Sequence, residues 1–316
     1  MTIQDTLKSK DTEEWIDLLF YRPIGYYWAL FFKTIHVTPN MVSILSILLG
    51  VTAGVFFYFS DIWLNVIGMI LLVWANSYDS ADGQLARMTK HYSRLGRLLD
   101  GAASACWFIS IYIAISLRLM PEWGFYIWVL ALVAGFFHSK QTEMADYLRN
   151  FHLLFVNDYR KSEFDDTDKI KEHARHLTWK KDFMEKISMI FYVNYTKDQE
   201  RWTPRLQDFR KALDKITGNK GFAAVWGNEV SETKINEVEY LDFREAFRKA
   251  SKPMMKYTNI LSFNTRAIAL CVSVFVGLPC AYFVFELTIM NVLLIYMIYT
   301  YEAVCKKFTL RLRRND

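Results

Sequence analysis

Several features that would assign this chain to a common soluble class are scarce or missing. It has only four cysteines, widely spaced and without a CxxC pair, which argues against a zinc site or a disulfide framework. The sequence has no internal repeat and no long low-complexity tract. With 53% hydrophobic and 22% charged residues, it is neither intrinsically disordered nor collagen-like. Because charges run throughout residues 1–35, we expect no cleavable signal peptide.

The chain also lacks a strong overall charge or hydropathy, because its averages combine two kinds of sequence. The net charge is +5 and the mean hydropathy is +0.07. A helix that crosses a bilayer needs about 20 mostly apolar residues. Six segments approach that length, and we predict a transmembrane helix at each: Met41–Ser60, Ile62–Tyr78, Leu99–Leu117, Glu122–Phe137, Ala267–Phe285 and Leu287–Tyr301. So many apolar runs leave too little polar surface for a soluble protein.

Basic residues indicate the orientation of these spans, since loops rich in Lys and Arg stay on the cytosolic side. Six spans place both termini and the second and fourth loops on one side, and all four regions carry basic clusters. We therefore expect both termini in the cytosol. Residues 12–35 alternate charges with aromatic side chains, which predicts an amphipathic helix lying in the membrane interface.

The predicted fold is an all-α integral membrane protein with six transmembrane helices, the N-terminal interfacial amphipathic helix and a helical cytosolic insertion between spans four and five. Its parts are the interfacial segment 1–40, spans one to four in 41–140, the insertion 141–260, and spans five and six with a basic tail in 261–316. The insertion interleaves acidic and basic residues. A solvated helical subdomain, a specificity cap, a lipid contact and an oligomer interface are all open interpretations.

A carboxylate pattern lies at the predicted cytosolic end of span two and the start of span three. Asp79 and Asp82 are three residues apart, so their carboxylates share a helix face. Asp100 lies at the start of the next span, and Ser104 follows one turn later. A third carboxylate can therefore meet the first two across the helix pair.

Clustered carboxylates at a membrane boundary are costly unless a positive group neutralises them. Hard oxygen ligands favour Mg²⁺, Mn²⁺ or Ca²⁺ over zinc, and such ions serve phosphate chemistry. The small residues Gly83 and Ala86 leave a cleft for a nucleotide, and Arg87 and Arg97 are candidate phosphate partners. The alternative is an ordinary helix-capping and surface-charge cluster.

This stretch resembles the CDP-alcohol phosphatidyltransferase family, whose signature is D-x2-D-G-x2-A-R-x8-G-x3-D-x3-D. Every position but the last is present at the right spacing, in Asp79, Asp82, Gly83, Ala86, Arg87, Gly96 and Asp100. The step Thr38-Pro39-Asn40 into span one is also similar to the family. The resemblance covers residues 20–140 well and the last two spans by topology only.

The resemblance implies a reaction in which a hydroxyl attacks the phosphorus next to the lipid or alkyl group of a CDP-linked substrate, and CMP leaves. It also implies two Mg²⁺ or Mn²⁺ ions per site, with the fourth aspartate as general base. Carried over residue by residue, the metal ligands are Asp79, Asp82 and Asp100. The CDP site is lined by Gly83, Ala86, Arg87 and Gly96.

Ser104 stands where the family has its fourth aspartate. A serine hydroxyl binds a metal ion weakly and is a poor base. Three explanations are open. The base comes from metal-bound water, His138 or Glu143; or the chain has lost catalysis and keeps nucleotide or lipid binding; or the serine is an engineered replacement.

The acceptor alcohol is also open. Inositol, inositol phosphate, glycerol phosphate, serine, and diacylglycerol attacking CDP-choline or CDP-ethanolamine all fit a transferase of this kind. A phosphorylated acceptor needs basic contacts, and the candidates are Arg94, Lys140, Arg149 and Arg266. For Arg266 the alternative is a snorkelling helix anchor, and for His138 an ordinary interfacial histidine.

The expected partners are a CDP-linked lipid or CDP-alcohol, a hydroxyl acceptor, membrane lipids and a second copy in a homodimer, without nucleic acid. The expected location is a bacterial cytoplasmic membrane or the endoplasmic reticulum. A non-enzymatic membrane scaffold has no use for a metal-ready carboxylate cluster. A transporter would place its ionisable residues near the bilayer midplane rather than at the cytosolic helix ends.

Overall fold

The computed structural model describes Ser9 and residues 11–91, 93–156, 167–177, 183–216 and 237–314, and in this part of the chain the secondary structure is helical, without strands. A π-helical turn spans Asp17–Tyr21, and a 3-10 turn spans Lys252–Met254. The α-helices are α1 Arg22–Thr34, α2 Pro39–Phe56, α3 Ile62–Thr89, α4 Arg94–Trp123, α5 Tyr126–Val156, α6 Thr167–His176, α7 Phe183–Trp202, α8 Pro204–Ile216, α9 Glu237–Ser251, α10 Met255–Ile260, α11 Phe263–Phe275, α12 Cys280–Leu287 and α13 Ile289–Arg314.

The chain divides into two compact units. The first comprises Met1–Gln141 and Asn259–Val292, and the second comprises Thr142–Thr258 and Leu293–Asp316. The four parts predicted from the sequence stay a prediction. All four cysteines are free thiols, of which only Cys305 is fully buried.

Five helical stretches among the described residues are long and apolar enough to cross a membrane, where the sequence predicted six. They are Pro39–Phe56, Ile62–Thr89, Leu99–Trp123, Asp242–Phe275 and Cys280–Arg313. The difference lies in the predicted fourth span, which crosses a helix boundary. Helix α4 ends at Trp123, the left-handed Gly124 (φ 58°) follows, and α5 begins only at Tyr126. The apolar part of α5 is therefore shorter than a span.

The predicted fifth span, Ala267–Phe285, is not one continuous helix. Helix α11 ends at Phe275, Gly277 adopts a left-handed φ of 76°, and Pro279 precedes α12. Gly277 adopts a positive φ without steric cost because it has no Cβ. Pro279 has no backbone N–H and therefore cannot extend helix α11. An apolar run predicts burial in lipid or protein, but not where the backbone turns.

Helix α2 packs closely against α3 and α4 because one of its faces carries small residues. Gly50 lies against the indole of Trp107, and an added Cβ would be 2.0 Å from its Cδ1. Gly54 lies equally close to Ser110. Ser46 extends this small face and donates a hydrogen bond of 2.7 Å to the carbonyl of Ala75 on α3. Such stripes let helix backbones approach within a membrane.

Helix α1 packs along α3 through an aromatic cluster. The ring of Trp28 lies 5.0 Å from that of Tyr78 and 6.0 Å from that of Trp74. Gly25 contacts Ser80 so closely that an added Cβ would be 2.8 Å from its hydroxyl. On the opposite face, Tyr27 is exposed. The helix is therefore amphipathic; its position in the membrane interface stays a prediction.

A buried ion pair joins elements of the first unit that are distant in sequence. The Arg266 guanidinium donates to the carboxylate of Glu286, and both side chains are almost fully buried. Gln141 Oε1 accepts a second bond from Arg266 at 2.8 Å, and the Tyr282 hydroxyl donates to Glu286 at 2.9 Å. The Glu286 carboxylate therefore points inward and neutralises Arg266.

The second unit is built around an aromatic core. The rings of Phe155 and Phe247 lie 4.1 Å apart, and Phe209 stacks on Phe247 at 5.1 Å. Glu302 accepts hydrogen bonds from the backbone N–H groups of Arg205 (2.8 Å) and Leu206 (2.9 Å), so its carboxylate caps the N-terminus of α8.

Gly50→Ala tests the close approach of α2 to α4. We expect a loss of stability of at least about 1–3 kcal/mol, because the methyl group would overlap the Trp107 ring. The matched control is Gly135→Ala, where an added Cβ meets nothing within 4 Å. Thermal unfolding of the detergent-solubilised protein measures both. Equal midpoints for the two variants would contradict the packing described.

Glu286→Gln tests the buried ion pair. Removing one partner leaves the Arg266 charge uncompensated, so we expect a loss of about 3–5 kcal/mol. The double variant Arg266→Gln/Glu286→Gln should lose clearly less, because no isolated charge then remains. The measurement is denaturant unfolding in micelles. Additive effects of the two single variants would show that the groups do not stabilise each other.

Candidate active site

Three aspartates from two helices converge in the first unit. Asp79 and Asp82 lie one turn apart on α3, and Asp100 lies on α4. One carboxylate oxygen from each falls within 4.8 Å of the others. Asp82 is buried, Asp79 is half-buried and Asp100 is exposed, so the cluster is open on the Asp100 side. The convergence expected from the sequence is present.

The donor set fits a hard divalent cation. Asp79 Oδ1 is buried and has no hydrogen-bond partner. A buried carboxylate oxygen without a donor is costly, and like charges so close together repel one another. A cation bound by oxygen ligands relieves both costs, and Mg²⁺ and Mn²⁺ prefer such ligands.

Helix α2 supports the cluster through Ser43 and Asn40. Ser43 was not predicted from the sequence as a site residue. The Ser43 hydroxyl donates a short hydrogen bond to Asp82. One turn earlier, Asn40 Oδ1 accepts a bond of 2.8 Å from Ser93, and the Ser93 hydroxyl in turn accepts a bond of 2.9 Å from the backbone N–H of Gly96. Ser93 thus caps α4, the helix that carries Asp100.

The packing at this cap leaves no room for a side chain at Gly96. An added Cβ would lie 2.7 Å from Asn40 Oδ1, so the glycine packs against the start of α2. Gly83 differs, because an added Cβ there would first meet the Arg87 guanidinium, at 3.6 Å. Arg87 therefore lies over the glycine, beside the aspartates, and also interacts electrostatically with Asp82. Ala86, between them, is half-buried.

Arg22, at the start of α1, is a second cation at the site. It interacts electrostatically with Asp79. Its guanidinium donates to both oxygens of Glu13, at 2.8 and 3.3 Å. Gln84 on α3 also donates to the Arg22 carbonyl at 3.1 Å. Arg22 was not among the site residues predicted from the sequence.

The remaining candidates lie in other surroundings. Arg266 belongs to the buried pair with Glu286, and His138 Nδ1 lies 3.1 Å from the Tyr112 hydroxyl and 3.7 Å from Glu286. Lys140 is half-buried. Glu143 and Arg149 belong to the second unit, where Arg149 donates to Asp146 at 3.0 Å. The side chains of Arg94 and Arg97 lie outside the described residues. Ser104 is half-buried on α4.

One signal for the missed residues was present in the sequence. Ser43, Ser46 and Gly50 follow each other at spacings of three and four residues, which marks one narrow helix face. No such local pattern indicates Arg22, which lies in a segment more than 50 residues before Asp79 in the chain.

Comparison with known proteins matches part of this chain. A family model described as CDP-alcohol phosphatidyltransferase matches residues 36–145. A "Bifunctional IPC transferase and DIPP synthase" of Aquifex aeolicus is 28% identical over 156 residues, covering 49% of this chain and 32% of the relative. A "Putative cardiolipin synthase" of Mycobacterium tuberculosis is 35% identical over 100 residues, covering 31% of this chain and 47% of the relative.

The chain thus spans between a third and about half of the length of these relatives. No solved structure matches. The matched segment contains α2, α3 and α4, together with all three clustered aspartates. The apolar helices and the matched segment together indicate a multi-pass membrane protein. Over residues 36–145 this chain is similar to the CDP-alcohol phosphatidyltransferase family.

Proposed function

We propose that this protein is a membrane phospholipid-biosynthesis transferase that moves a phosphatidyl or phospho-alcohol group from a CDP-linked donor to a hydroxyl acceptor and releases CMP. One observation carries the proposal: three carboxylates converge within 4.8 Å, and one of them has a buried oxygen with no partner. Carboxylate oxygens are suitable ligands for a hard divalent cation. Such cations stabilise the negative charge that develops when a phosphate group is transferred.

Asp79, Asp82 and Asp100 would hold the Mg²⁺ or Mn²⁺ ions, two per site. When bound, the ions neutralise the pyrophosphate of the donor and the charge that develops on the departing CMP. The chain itself keeps the ligands in place: Ser43 holds the Asp82 carboxylate by a hydrogen bond, and the Ser93 cap fixes the start of α4.

Arg87 would bind a phosphate of the CDP group. An added Cβ at Gly83 would lie 3.6 Å from the Arg87 guanidinium, so this cation lies beside a position of α3 that has no side chain. A planar guanidinium suits bidentate contacts with phosphate oxygens. Ala86 and Gly96 would complete this wall of the CDP site; Arg94, Lys140 and Arg266 are kept as possible contacts of a phosphorylated acceptor.

The name of the Mycobacterium tuberculosis relative includes the lipid cardiolipin, and that of the Aquifex aeolicus relative includes the word transferase. Both support a lipid-forming transferase as the class of reaction. The acceptor alcohol, a homodimer in the membrane and a cytosolic location of both termini belong to the proposal as expectations.

A second function is favoured by one specific residue. With Ser104 in place of the family's fourth aspartate, this face of α4 lacks a carboxylate one turn beyond Asp100. A catalytically impaired member, or a membrane scaffold that binds nucleotide or lipid, would keep the three aspartates for binding and release no CMP. Binding and turnover must therefore be measured separately.

Substituting the aspartates tests the metal and CDP site. In Asp79→Asn, Asp82→Asn and Asp100→Asn, metal-dependent binding of CDP should weaken by at least about 10-fold, because each loses a carboxylate ligand. Isothermal titration with Mn²⁺ and CDP measures this, with EDTA as the metal-free reference. The control is Asp61→Asn, an exposed helix cap at the other end of α3 that asparagine also caps well. CDP binding that persists in EDTA would overturn the proposed site.

Ser104→Asp separates the two functions. If the wild type is an enzyme, it releases CMP from CDP-diacylglycerol in the presence of Mn²⁺ and a suitable alcohol, and the added carboxylate should change the rate by less than about 10-fold. If the chain is an impaired member, the wild type is inactive and the variant gains activity. Inactivity of both proteins with every alcohol would leave the scaffold as the function.

A further inference from the structure

A pair of carboxylates in the N-terminal segment meets a buried asparagine of α11. Asn264 Nδ2 donates to Glu14 Oε2 at 2.7 Å and to Asp17 Oδ1 at 3.0 Å. Asn264 is only 7% exposed, and its Oδ1 is buried without a hydrogen-bond partner. An orphan acceptor beside two carboxylates calls for a ligand that donates hydrogen bonds, such as an alcohol hydroxyl.

The N-terminal segment contacts the aspartate-bearing face of α3. Tyr21 lies one turn after Asp17, and its side chain lies near that of Asn76 on α3. Asn76 precedes Asp79 by three residues, so the two share a helix face. Burial raises the pKa of Tyr21, and the nearby carboxylates of Asp17 and Glu14 raise it further.

The start of α11 contacts the face of α4 that carries Ser104. Phe263, next to Asn264, packs its ring 5.6 Å from that of Trp107 and 6.1 Å from that of Phe108. Trp107 and Phe108 follow Ser104 by three and four residues, which is the spacing of one helix face. Asn264 thus links Glu14 and Asp17 to the start of α11, which packs on the face of α4 that lacks its carboxylate.

We propose that the hydrogen-bonded cluster of Glu14, Asp17 and Asn264 binds the hydroxyl of the acceptor alcohol, with Asp17 as its general base in place of the missing carboxylate at Ser104. The inference rests on the proposed transferase function. It replaces His138 and Glu143 as candidate bases, since His138 is engaged by Tyr112 and Glu143 belongs to the other unit.

The proposed step balances without a further reactant. The acceptor hydroxyl gives its proton to the Asp17 carboxylate while its oxygen forms a bond to the phosphorus next to the lipid or alkyl group. The bond from that phosphorus to the bridging oxygen breaks, and CMP leaves with the electron pair. Glu14 and Asn264 act as positioning residues that hold Asp17 and the hydroxyl.

Asp17→Asn in the full-length, detergent-solubilised chain tests the assignment. We expect CMP release from CDP-diacylglycerol to slow by about 10²–10⁴-fold, the usual contribution of a general base. The affinity for CDP with Mn²⁺ should stay unchanged, because Asp17 does not belong to the aspartate cluster. Asp61→Asn serves again as the charge-matched control and should retain wild-type turnover.

The decisive variant is the double Asp17→Asn/Ser104→Asp. A carboxylate restored on α4 should recover at least about 10-fold of the lost rate if the defect is the missing base. A merely structural defect in the N-terminal segment would not be repaired from another helix. Wild-type turnover in Asp17→Asn, loss of CDP affinity in that variant, or no recovery in the double variant would each overturn the inference and leave the transferase function standing.

Two further outcomes distinguish a failure of the Asp17 assignment from a failure of the proposed transferase function. If the wild type is inactive and Ser104→Asp releases CMP, the site is a genuine transferase site but Asp17 does not serve as its base, and the inference falls alone. If neither protein releases CMP with any alcohol, the proposed function falls and the inference with it.

Discussion

Mutual repulsion of three carboxylates is the constraint on which the first unit depends. Their oxygens lie within 4.8 Å of one another, an arrangement that flexible segments would relax by moving apart. Rigid helices prevent this. The small face of α2 lets α3 and α4 approach, Ser43 holds one carboxylate, and the Ser93 cap fixes the helix that carries another. The close grouping of these carboxylates is therefore a property of helix packing more than of the acidic residues themselves.

The aspartate cluster could be predicted from the sequence because it obeys a local rule. Residues three apart share a helix face, and a helix pair joined by a short loop brings its neighbouring ends together. These two rules are enough to predict that Asp79, Asp82 and Asp100 lie close together. The bounds of the spans could not be predicted equally well, since Gly124 and Gly277 end helices inside apolar runs whose hydropathy does not change.

Long-range polar contacts were beyond the sequence analysis for a different reason. Arg266 and Glu286 look like surface charges when each is considered with its neighbours, and only the fold makes them partners. Asn264 meets Glu14 across 250 residues of chain, and no periodicity reports such a distance. The structure therefore adds most where charged residues are buried by pairing, which hydropathy cannot distinguish from exposure.

The π-helical turn Asp17–Tyr21 bears on how related sequences should be aligned. Its closing bond runs from the N–H of Arg22 to the carbonyl of Asp17, so the turn holds one residue more than an α-helical turn. Deleting that residue would rotate everything before it by about 100° relative to α1. Homologues of equal acidity but different segment length would then direct other side chains toward α11. In this segment, an insertion or a deletion therefore changes the direction of the preceding side chains, which a substitution does not.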